Sequence, residues 1–255
     1  MPGIAVRAAD LIASEWTKFW SVRSTYWSLL VALVTPIALT AVLALAFSQA
    51  PQGPPPDPLS AGVFSLEYAV IAVGALGVLA FSSEYATGLI LSTFAAAPRR
   101  RAVLAAKGAV LGGVTLIAGE VVAFTCFFLS QAILSRQHQG VSLSHPGVPG
   151  AVLAAGLLLA VTVLLGLALG AIVRHTAGGI VVTIAVIVVP AILAVLPAPW
   201  GSRIGRFSLL DAARQLTALH PATNLFSPAL SLLVLLAWPA VALAAAAVLI
   251  TRRDT

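Results

Sequence analysis

Six long apolar stretches fill most of this sequence, and they constrain its fold more than any other feature. They run over Trp27–Phe47, Val63–Phe81, Val103–Leu134, Val152–Val173, Gly178–Leu196 and Pro228–Ile250. A helix needs about 20 apolar residues to cross a hydrocarbon core of about 30 Å, and all six stretches approach or exceed that length. Hydrophobic residues make up 60% of the chain and charged residues only 9%, too few to cover a water-soluble domain. The sequence therefore predicts an all-α membrane protein with six transmembrane helices.

The basic residues between the stretches predict the orientation of the chain. With a cytoplasmic N-terminus, the inner segments hold ten of the 14 basic residues. These are Arg7, Lys18, Arg23, Arg99, Arg100, Arg101, Lys107, Arg174, Arg252 and Arg253, whereas the outer loops hold Arg136, Arg203, Arg206 and Arg214. Since cytoplasmic loops are enriched in Lys and Arg, both termini are expected inside. The net charge of +6 then reflects residues that face anionic headgroups, and no nucleic-acid partner is expected.

Residues 4–22 predict an amphipathic helix on the inner membrane surface. Trp16, Phe19 and Trp20 share one face of a helical wheel with Ile12, and charged and hydroxyl side chains lie opposite. Such a pattern is typical of an interfacial helix, although packing on the protein itself is the alternative. Residues 1–26 would form this cytoplasmic segment, residues 27–250 the transmembrane domain, and residues 251–255 a cytoplasmic tail.

The longest inner loop, residues 83–107, joins the second and third stretches. Gly88 permits a turn, and Leu89–Ala97 is apolar but too short to span a membrane. Arg99–Arg101 follow at the start of the next helix, where positive charge opposes the helix dipole. The arginines either anchor the topology or contact lipid phosphates or an acidic partner. The apolar segment is interpreted as a docking element for a cytosolic subunit.

The outer segment, residues 197–227, predicts a short extracellular helix before the last span. Ser208 and Asp211 have the spacing of a capping box. Apolar residues follow at helical spacing, which places a helix near Leu209–Leu219. Pro228 would then start the sixth span.

Two acids lie within the apolar stretches. Glu120 is near the middle of the third stretch, where an ionised carboxylate costs about 2.5 kcal/mol or more. It either lines a substrate path together with Phe124, or is a protonated or hydrogen-bonded acid that joins helices. Glu67, near the outer end of the second stretch, is expected to be solvated and to contact a headgroup or a loop. Glycine pairs at small-xxx-small spacing, Gly108 with Gly112 and Gly166 with Gly170, predict close helix packing within the chain or between copies.

The sequence argues against an enzyme. It contains no GxxxxGK[ST] motif and only two lysines, Lys18 and Lys107, so it lacks the usual means of holding ATP phosphates. His138 and His145 have no evident third ligand for a metal. No HExxH motif and no pair of aspartates within the spans is present. We therefore predict no catalytic residue, no metal site and no cofactor held by this chain.

Several segments carry a family resemblance, in the same order along the chain. They are SEWTKFWSVRSTYWSLL (Ser14–Leu30), GVLAFSSEYATG (Gly77–Gly88), PRRRAVLAAK (Pro98–Lys107), LGAIVRHTAGG (Leu169–Gly179) and LLAWPAVALAAAAVLITRRD (Leu235–Asp254). Together they resemble the permease subunits of type-2 ABC exporters in their actinobacterial form.

The resemblance implies a half-transporter in a bacterial plasma membrane. Two permease copies, identical or different, would assemble with two copies of a cytosolic ABC ATPase that binds ATP and Mg²⁺. It implies ATPase docking by Glu15, Lys18, Arg23, Glu84, Tyr85, Phe94, Arg99, Arg100, Arg174 and His175. Because the spans offer little charge, the exported cargo is expected to be apolar or amphipathic: a lipid, a peptide or a hydrophobic antibiotic. The alternative is an ATP-independent secondary carrier or a membrane scaffold.

Overall fold

The computed structural model describes residues 7–21, 23–49, 57, 59–89, 99–197, 199–223 and 225–252, and this part of the chain contains α-helices and no strand. The helices are α1 (Ala8–Ser21), α2 (Arg23–Ser48), α3 (Ser60–Ala86), α4 (Arg100–Leu134), α5 (Val148–Val173), α6 (Thr176–Leu193), α7 (Trp200–Phe207), α8 (Leu209–Thr217) and α9 (Pro228–Arg252). A 3₁₀ turn, Ser135–Gln137, follows α4.

Six of these helices are long and apolar enough to cross a membrane: α2, α3, α4, α5, α6 and α9. They coincide with the six predicted stretches, so the all-helical, six-span prediction is confirmed at that level. Parts of the predicted inner segment, residues 83–107, are helical, because α3 continues to Ala86 and α4 begins at Arg100. Helix α4 has 35 residues and is about 52 Å long at 1.5 Å per residue, longer than a perpendicular span requires.

Helix α5 lies at the centre of the bundle. In its most apolar 18 residues 78% are buried, against 17% in α6, 22% in α9 and 28% in α2. Helices α2, α6 and α9, at the periphery of the bundle, expose large apolar side chains such as Val31, Val181 and Leu233. Exposed apolar surface of this extent suits contact with lipid rather than with water.

Glycines allow α3 and α5 to pack backbone against backbone. A Cβ added at Gly77 would lie 2.1 Å from the Val163 carbonyl oxygen, and one added at Gly166 would lie 2.1 Å from the Gly74 oxygen. Gly170 lies close to α3 as well, although less tightly, since its Cβ would be 2.9 Å from the Val78 oxygen. The Gly166 and Gly170 pair therefore serves packing within the chain, which is one of the two predicted uses of this motif.

Helix α1 packs against α4, and its apolar residues divide between two sides. Phe19 is buried, as is Glu15 one turn earlier. Ile12, Trp16 and Trp20 are each 44–53% exposed. The prediction that Phe19 shares the outer face with the tryptophans is therefore wrong, because Phe19 anchors α1 to the bundle.

The two short helices α7 and α8 lie at the end of the bundle opposite α1, which we call the α8 end. Ser208 Oγ accepts a hydrogen bond from the Asp211 N–H at 3.3 Å and so caps α8. Only half of the expected capping box forms, because the Ser208 N–H donates to the Gly205 carbonyl. The Asp211 carboxylate instead accepts from Arg214 at 3.2 Å.

Candidate functional site: a buried charge cluster

Four charged side chains meet at the end of the bundle that carries α1, which we call the α1 end. Lys107 Nζ donates to Glu15 and, at 2.8 Å, to Glu84 Oε1. Lys18 Nζ donates to the same two acids, at 2.8 Å to Glu15 and 3.2 Å to Glu84. We call these four residues the charge cluster. It joins α1 to the last turns of α3 and the first turns of α4.

Local sequence explains how each member reaches the cluster. Glu15 and Phe19 are four residues apart on α1, so both point to the side that packs on α4. Glu84 lies in the last turn of α3, and Lys107 lies two turns into α4. The two helix ends lie side by side, since Lys107 Nζ is 2.8 Å from Glu84 Oε1. Two acids and two bases together carry no net charge.

Burial makes this cluster energetically demanding. The side chains of Glu15, Glu84 and Lys107 are only 6–9% exposed, whereas that of Lys18 is 38% exposed. Burial lowers the pKa of Lys18, but hydrogen bonds to Glu15 and the charges of both acids outweigh it, so the pKa moves above its ordinary value. Removing one member of a buried ion pair typically costs about 3–5 kcal/mol, because the opposite charge is left uncompensated. Loss of any buried member should therefore weaken the attachment of α1 to α3 and α4.

The cluster changes the interpretation of two predicted docking residues. Glu15 and Glu84 are buried and hydrogen-bonded to lysines of the same chain. Both carboxylates therefore lie inside the bundle in this structure, and their predicted contact with an ATPase stays a prediction. Lys18 remains partly exposed, so it can face a partner while it contacts the cluster.

Three further predicted docking residues lie next to the cluster. The Arg174 guanidinium stacks on the Tyr85 ring, with 5.0 Å between the guanidinium carbon and the ring centroid. Arg174 itself has a left-handed backbone, φ 58°, which ends α5 and lets α6 begin two residues later. His175 caps α6, since its Nδ1 accepts from the Gly178 N–H at 3.1 Å. Within the described residues, Arg174 Nε and Nη2 are buried and have no acceptor.

The other predicted docking residues are placed only in part. Arg99 is exposed just before α4. The Arg100 Nη1 donates at 3.2 Å to the Ile250 carbonyl, which ties the start of α4 to the end of α9. Arg23 lies at the start of α2, but its side chain is outside the described residues, and so is the whole of Phe94.

The predicted substrate-path residues lie far from the charge cluster along α4. The Glu120 carboxyl rests against the bare backbone of Gly156 in α5, where an added Cβ would lie 2.5 Å from Glu120 Cδ. Within the described residues, Glu120 Oε2 is buried and has no hydrogen-bond partner. Phe124 follows one turn later, is half-buried and packs on the core. Glycine at position 156 thus provides the space that an acid at position 120 needs.

A second ion pair joins the outer segment to the bundle, and it supplies the loop contact predicted for Glu67 while correcting its predicted solvation. The Glu67 carboxylate is buried rather than solvated, and it accepts from Arg214 Nε at 2.8 Å and Nη2 at 2.7 Å. This two-point contact raises the pKa of Arg214 above its ordinary value. Asp57 adds a second tie, since its carboxylate accepts from the Leu219 N–H at 3.2 Å. The segment over the α8 end is therefore fastened to the start of α3 at two points.

Sequence reasoning missed both sets of ion pairs, although each had a signal. Lys107 interrupts an otherwise apolar run at the start of the third stretch, and Glu84 ends the second. An acid and a base at adjacent ends of consecutive spans are natural partners. Arg214 entered the topology prediction only as a basic residue of an outer loop. Its signal was Asp211, which lies three residues earlier on the same helix face and is close enough to pair with it.

Comparison with models of known protein families and with curated proteins gives no match for this chain. In the described residues, no group of three or more His, Cys, Asp or Glu side chains could hold a metal ion. His138 and His145 are both exposed.

Proposed function

We propose that this chain is the transmembrane subunit of an ATP-driven exporter of the type-2 ABC class, with ATP hydrolysed by a separate cytosolic subunit. The proposal rests on the sequence resemblance and on one structural observation, the charge cluster. A helix outside the spans, α1, is fastened by buried ion pairs to the ends of two spanning helices. A push on α1 would therefore be transmitted to α3 and α4 rather than absorbed by a loose segment.

The distribution of basic side chains supports a cytosolic protein partner at the α1 end. Both lysines of the chain belong to the charge cluster, so neither is left to hold a nucleotide phosphate. Arg99, Arg101 and His175 are exposed near the same end. We expect this basic surface to face the ATPase, with Tyr85 and Arg174 beneath it.

The proposal includes a topology and a location. Both termini lie in the cytosol of a bacterium, and the six spans cross its plasma membrane. Exposed Trp16 and Trp20 support an interfacial position for α1, because tryptophan side chains favour the headgroup level. Helices α7 and α8 then lie on the outer side and cover the exit.

Transport follows from differential stabilisation of two states. ATP binding would close the pair of ATPases, move α1, and shift the spans between inward-open and outward-open arrangements. A ligand moves such an equilibrium only by the difference in its affinity for the two states. The apolar spans favour an apolar or amphipathic cargo, and Glu120 with Phe124 are the residues that we expect to meet it.

One observation favours a second candidate, an ATP-independent carrier. Glu120 Oε2 is buried without a partner in the described residues, and carriers commonly hold a coupling ion on a buried acid near the midplane. The two candidates differ in their need for a second protein. A carrier would work in vesicles that contain only this chain.

Affinity purification of a tagged copy from its native host tests the proposal. We expect an ATPase with a phosphate-binding loop to co-purify in a mild detergent at about one copy per copy of this chain. Replacing Arg99 and Arg101 by Glu should release the ATPase, and the matched change Arg136→Glu, at the other end of α4, should not. A chain that purifies alone and remains active argues for the carrier.

A further inference from the structure

An apolar groove runs along α9 at the α8 end of the bundle. Its volume is about 510 Å³. The residues that line it are Phe207, Phe226, Leu230, Leu233, Val234, Ala237, Trp238 and Val241. Most of these side chains are exposed, among them Phe207 and Leu233. The groove therefore opens to whatever surrounds the helices.

Contacts between neighbouring side chains hold the walls of the groove in place, and the indole N–H of its tryptophan has a hydrogen-bond acceptor. Trp238 Nε1 donates to the Phe207 carbonyl at 3.0 Å, which joins α9 to the end of α7. The rings of Phe207 and Phe226 meet edge to face, with centroids 5.3 Å apart. Because these contacts hold the aromatic walls in place, the groove is preformed for an apolar occupant.

One cationic residue, Arg206, borders the groove, and Arg203 lies on the same short helix. Arg206 lies over the Phe226 ring, 5.8 Å from its centroid, and Arg203 lies 6.0 Å from the centroid of Trp200. The short amphipathic helix α7 therefore carries both exposed arginines and exposed aromatic rings. Arginine beside tryptophan is typical of the headgroup level of a membrane.

The length of the groove matches one leaflet. From Leu230 to Val241 the helix advances 11 residues, or about 16 Å at 1.5 Å per residue. Half of a hydrocarbon core of about 30 Å is a similar depth. A groove that follows α9 for this distance is long enough to hold an acyl chain through one half of a bilayer.

We propose that this groove binds one acyl chain of an anionic phospholipid from the surrounding bilayer, with its phosphate at Arg206. The apolar walls accept the chain, and the guanidinium at the rim selects for negative charge. A second copy of the chain is a poorer occupant. A two-fold contact centred here would bring Arg203 and Arg206 of both copies into one region, where like charges repel.

Quenching of Trp238 by brominated lipids tests this proposal. The protein keeps Trp238 as its single tryptophan, with Trp16, Trp20, Trp27 and Trp200 changed to Phe. It is reconstituted in phosphatidylcholine vesicles that contain a small fraction of lipid with brominated acyl chains, either phosphatidylglycerol or phosphatidylcholine. We expect half-maximal quenching at about fivefold less phosphatidylglycerol, the ratio that one arginine at an anionic surface supplies.

Two variants and two matched controls define the outcome. Arg206→Gln should abolish the preference for phosphatidylglycerol, and Ala237→Phe, which fills the groove, should reduce quenching by both lipids. Arg136→Gln, at another exposed position, and Ala244→Phe, two turns further along α9, should leave both properties unchanged. Equal quenching by the two lipids in the parent protein shows ordinary boundary lipid and overturns the proposal.

A crosslinking experiment addresses the second copy. Leu233→Cys is placed in a Cys126→Ala background and treated with a thiol crosslinker in vesicles. We expect no covalent dimer, because lipid fills the groove. A dimer linked through position 233 would overturn the proposal. Failure of the ATPase to co-purify, in the separate experiment described above, would contradict the proposed function and would not affect the lipid groove.

Discussion

Lys107 Nζ lies 2.8 Å from Glu84 Oε1 inside the bundle, and the same ammonium group also donates to Glu15. One lysine thus joins the end of α3, the start of α4 and the helix that precedes the spans. Buried charge is costly to hold, and it persists here because every carboxylate has a lysine partner. The contact fixes where α1 sits relative to the spans.

Lys107→Met should destabilise the protein by about 3–5 kcal/mol, because Glu15 and Glu84 would be left buried with only the half-exposed Lys18 to compensate them. Thermal unfolding in detergent measures this as a lower midpoint temperature. Arg7→Gln, an exposed position on the approach to α1, serves as the control and should have little effect. Adding Glu84→Gln to Lys107→Met should recover part of the loss, and a Lys107→Met protein as stable as the parent would contradict the assignment.

The raised pKa of Lys18 predicts how stability depends on alkaline pH. Since the folded-state pKa lies above 10.5, the stability from Lys18 is fully present below that value and is lost as pH rises through the folded pKa. The contribution of Lys18 to stability should therefore be complete and independent of pH near neutrality, and stability should fall more steeply in the parent than in Lys18→Met above about pH 10.5. Identical alkaline profiles for the two proteins would contradict the pairing of Lys18 with the acids.

Arg214→Lys should loosen the outer segment although it keeps the charge. Lysine cannot make the two parallel hydrogen bonds that Arg214 makes to Glu67, so we expect a loss of about 1–2 kcal/mol. Because Arg214 is 45% exposed, this is less than for a fully buried pair. Protease cleavage between α7 and α9 should become faster. Arg203→Lys is the matched control. If both variants were cleaved at the same rate, the Arg214–Glu67 contact would not be what holds the outer segment, which would contradict this prediction.

Gly77→Ala should be among the most damaging single-methyl changes in this chain. The new Cβ would lie 2.1 Å from the Val163 carbonyl oxygen, and backbone cannot yield as a side chain does. Overpacking of this kind costs about 1–3 kcal/mol or more. Gly113→Ala, where nothing lies within 4 Å, should be neutral or stabilising by up to about 1 kcal/mol. Membrane insertion yield and unfolding temperature should both be lower for Gly77→Ala than for Gly113→Ala. Equal values for the two variants would contradict the close packing at Gly77.

The parts of the structure that were predicted from sequence depend on local properties. Run length and hydropathy place six helices, and Ser208 caps α8 because a cap needs only its own first turn. The ion pairs depend on contacts between residues distant in sequence: Lys107 and Glu15 are 92 residues apart, and Glu67 and Arg214 are 147 apart. Such pairs follow from helix packing, which a single sequence does not specify.

The face that Phe19 presents was also mispredicted, for a related reason. A helical wheel groups Phe19 with Trp16 and Trp20, since all three are apolar and within one turn of each other. The structure turns Phe19 toward α4 and leaves both tryptophans exposed. A helix that lies on a membrane surface and also packs on a bundle has two apolar sides, one for each contact. The apolar periodicity of the sequence does not separate these two sides.

The predicted orientation is tested by a reporter fusion after Asp57. Because the basic residues are concentrated in segments assigned to the cytosol, this position should lie outside, and an alkaline phosphatase fused there should be active. The same enzyme fused after Arg252 should be inactive. A reversed pattern would move α1 and the charge cluster away from any cytosolic partner.

Transport in vesicles tests the central claim most directly. The chain is reconstituted with and without its co-purified ATPase, and the movement of a fluorescent amphiphile is followed on addition of ATP and Mg²⁺. We predict transport that requires both the ATPase and ATP, and that is lost when Glu15→Lys breaks the charge cluster while the subunits remain associated. Equal movement of the amphiphile by the chain alone, without ATP, would contradict the account.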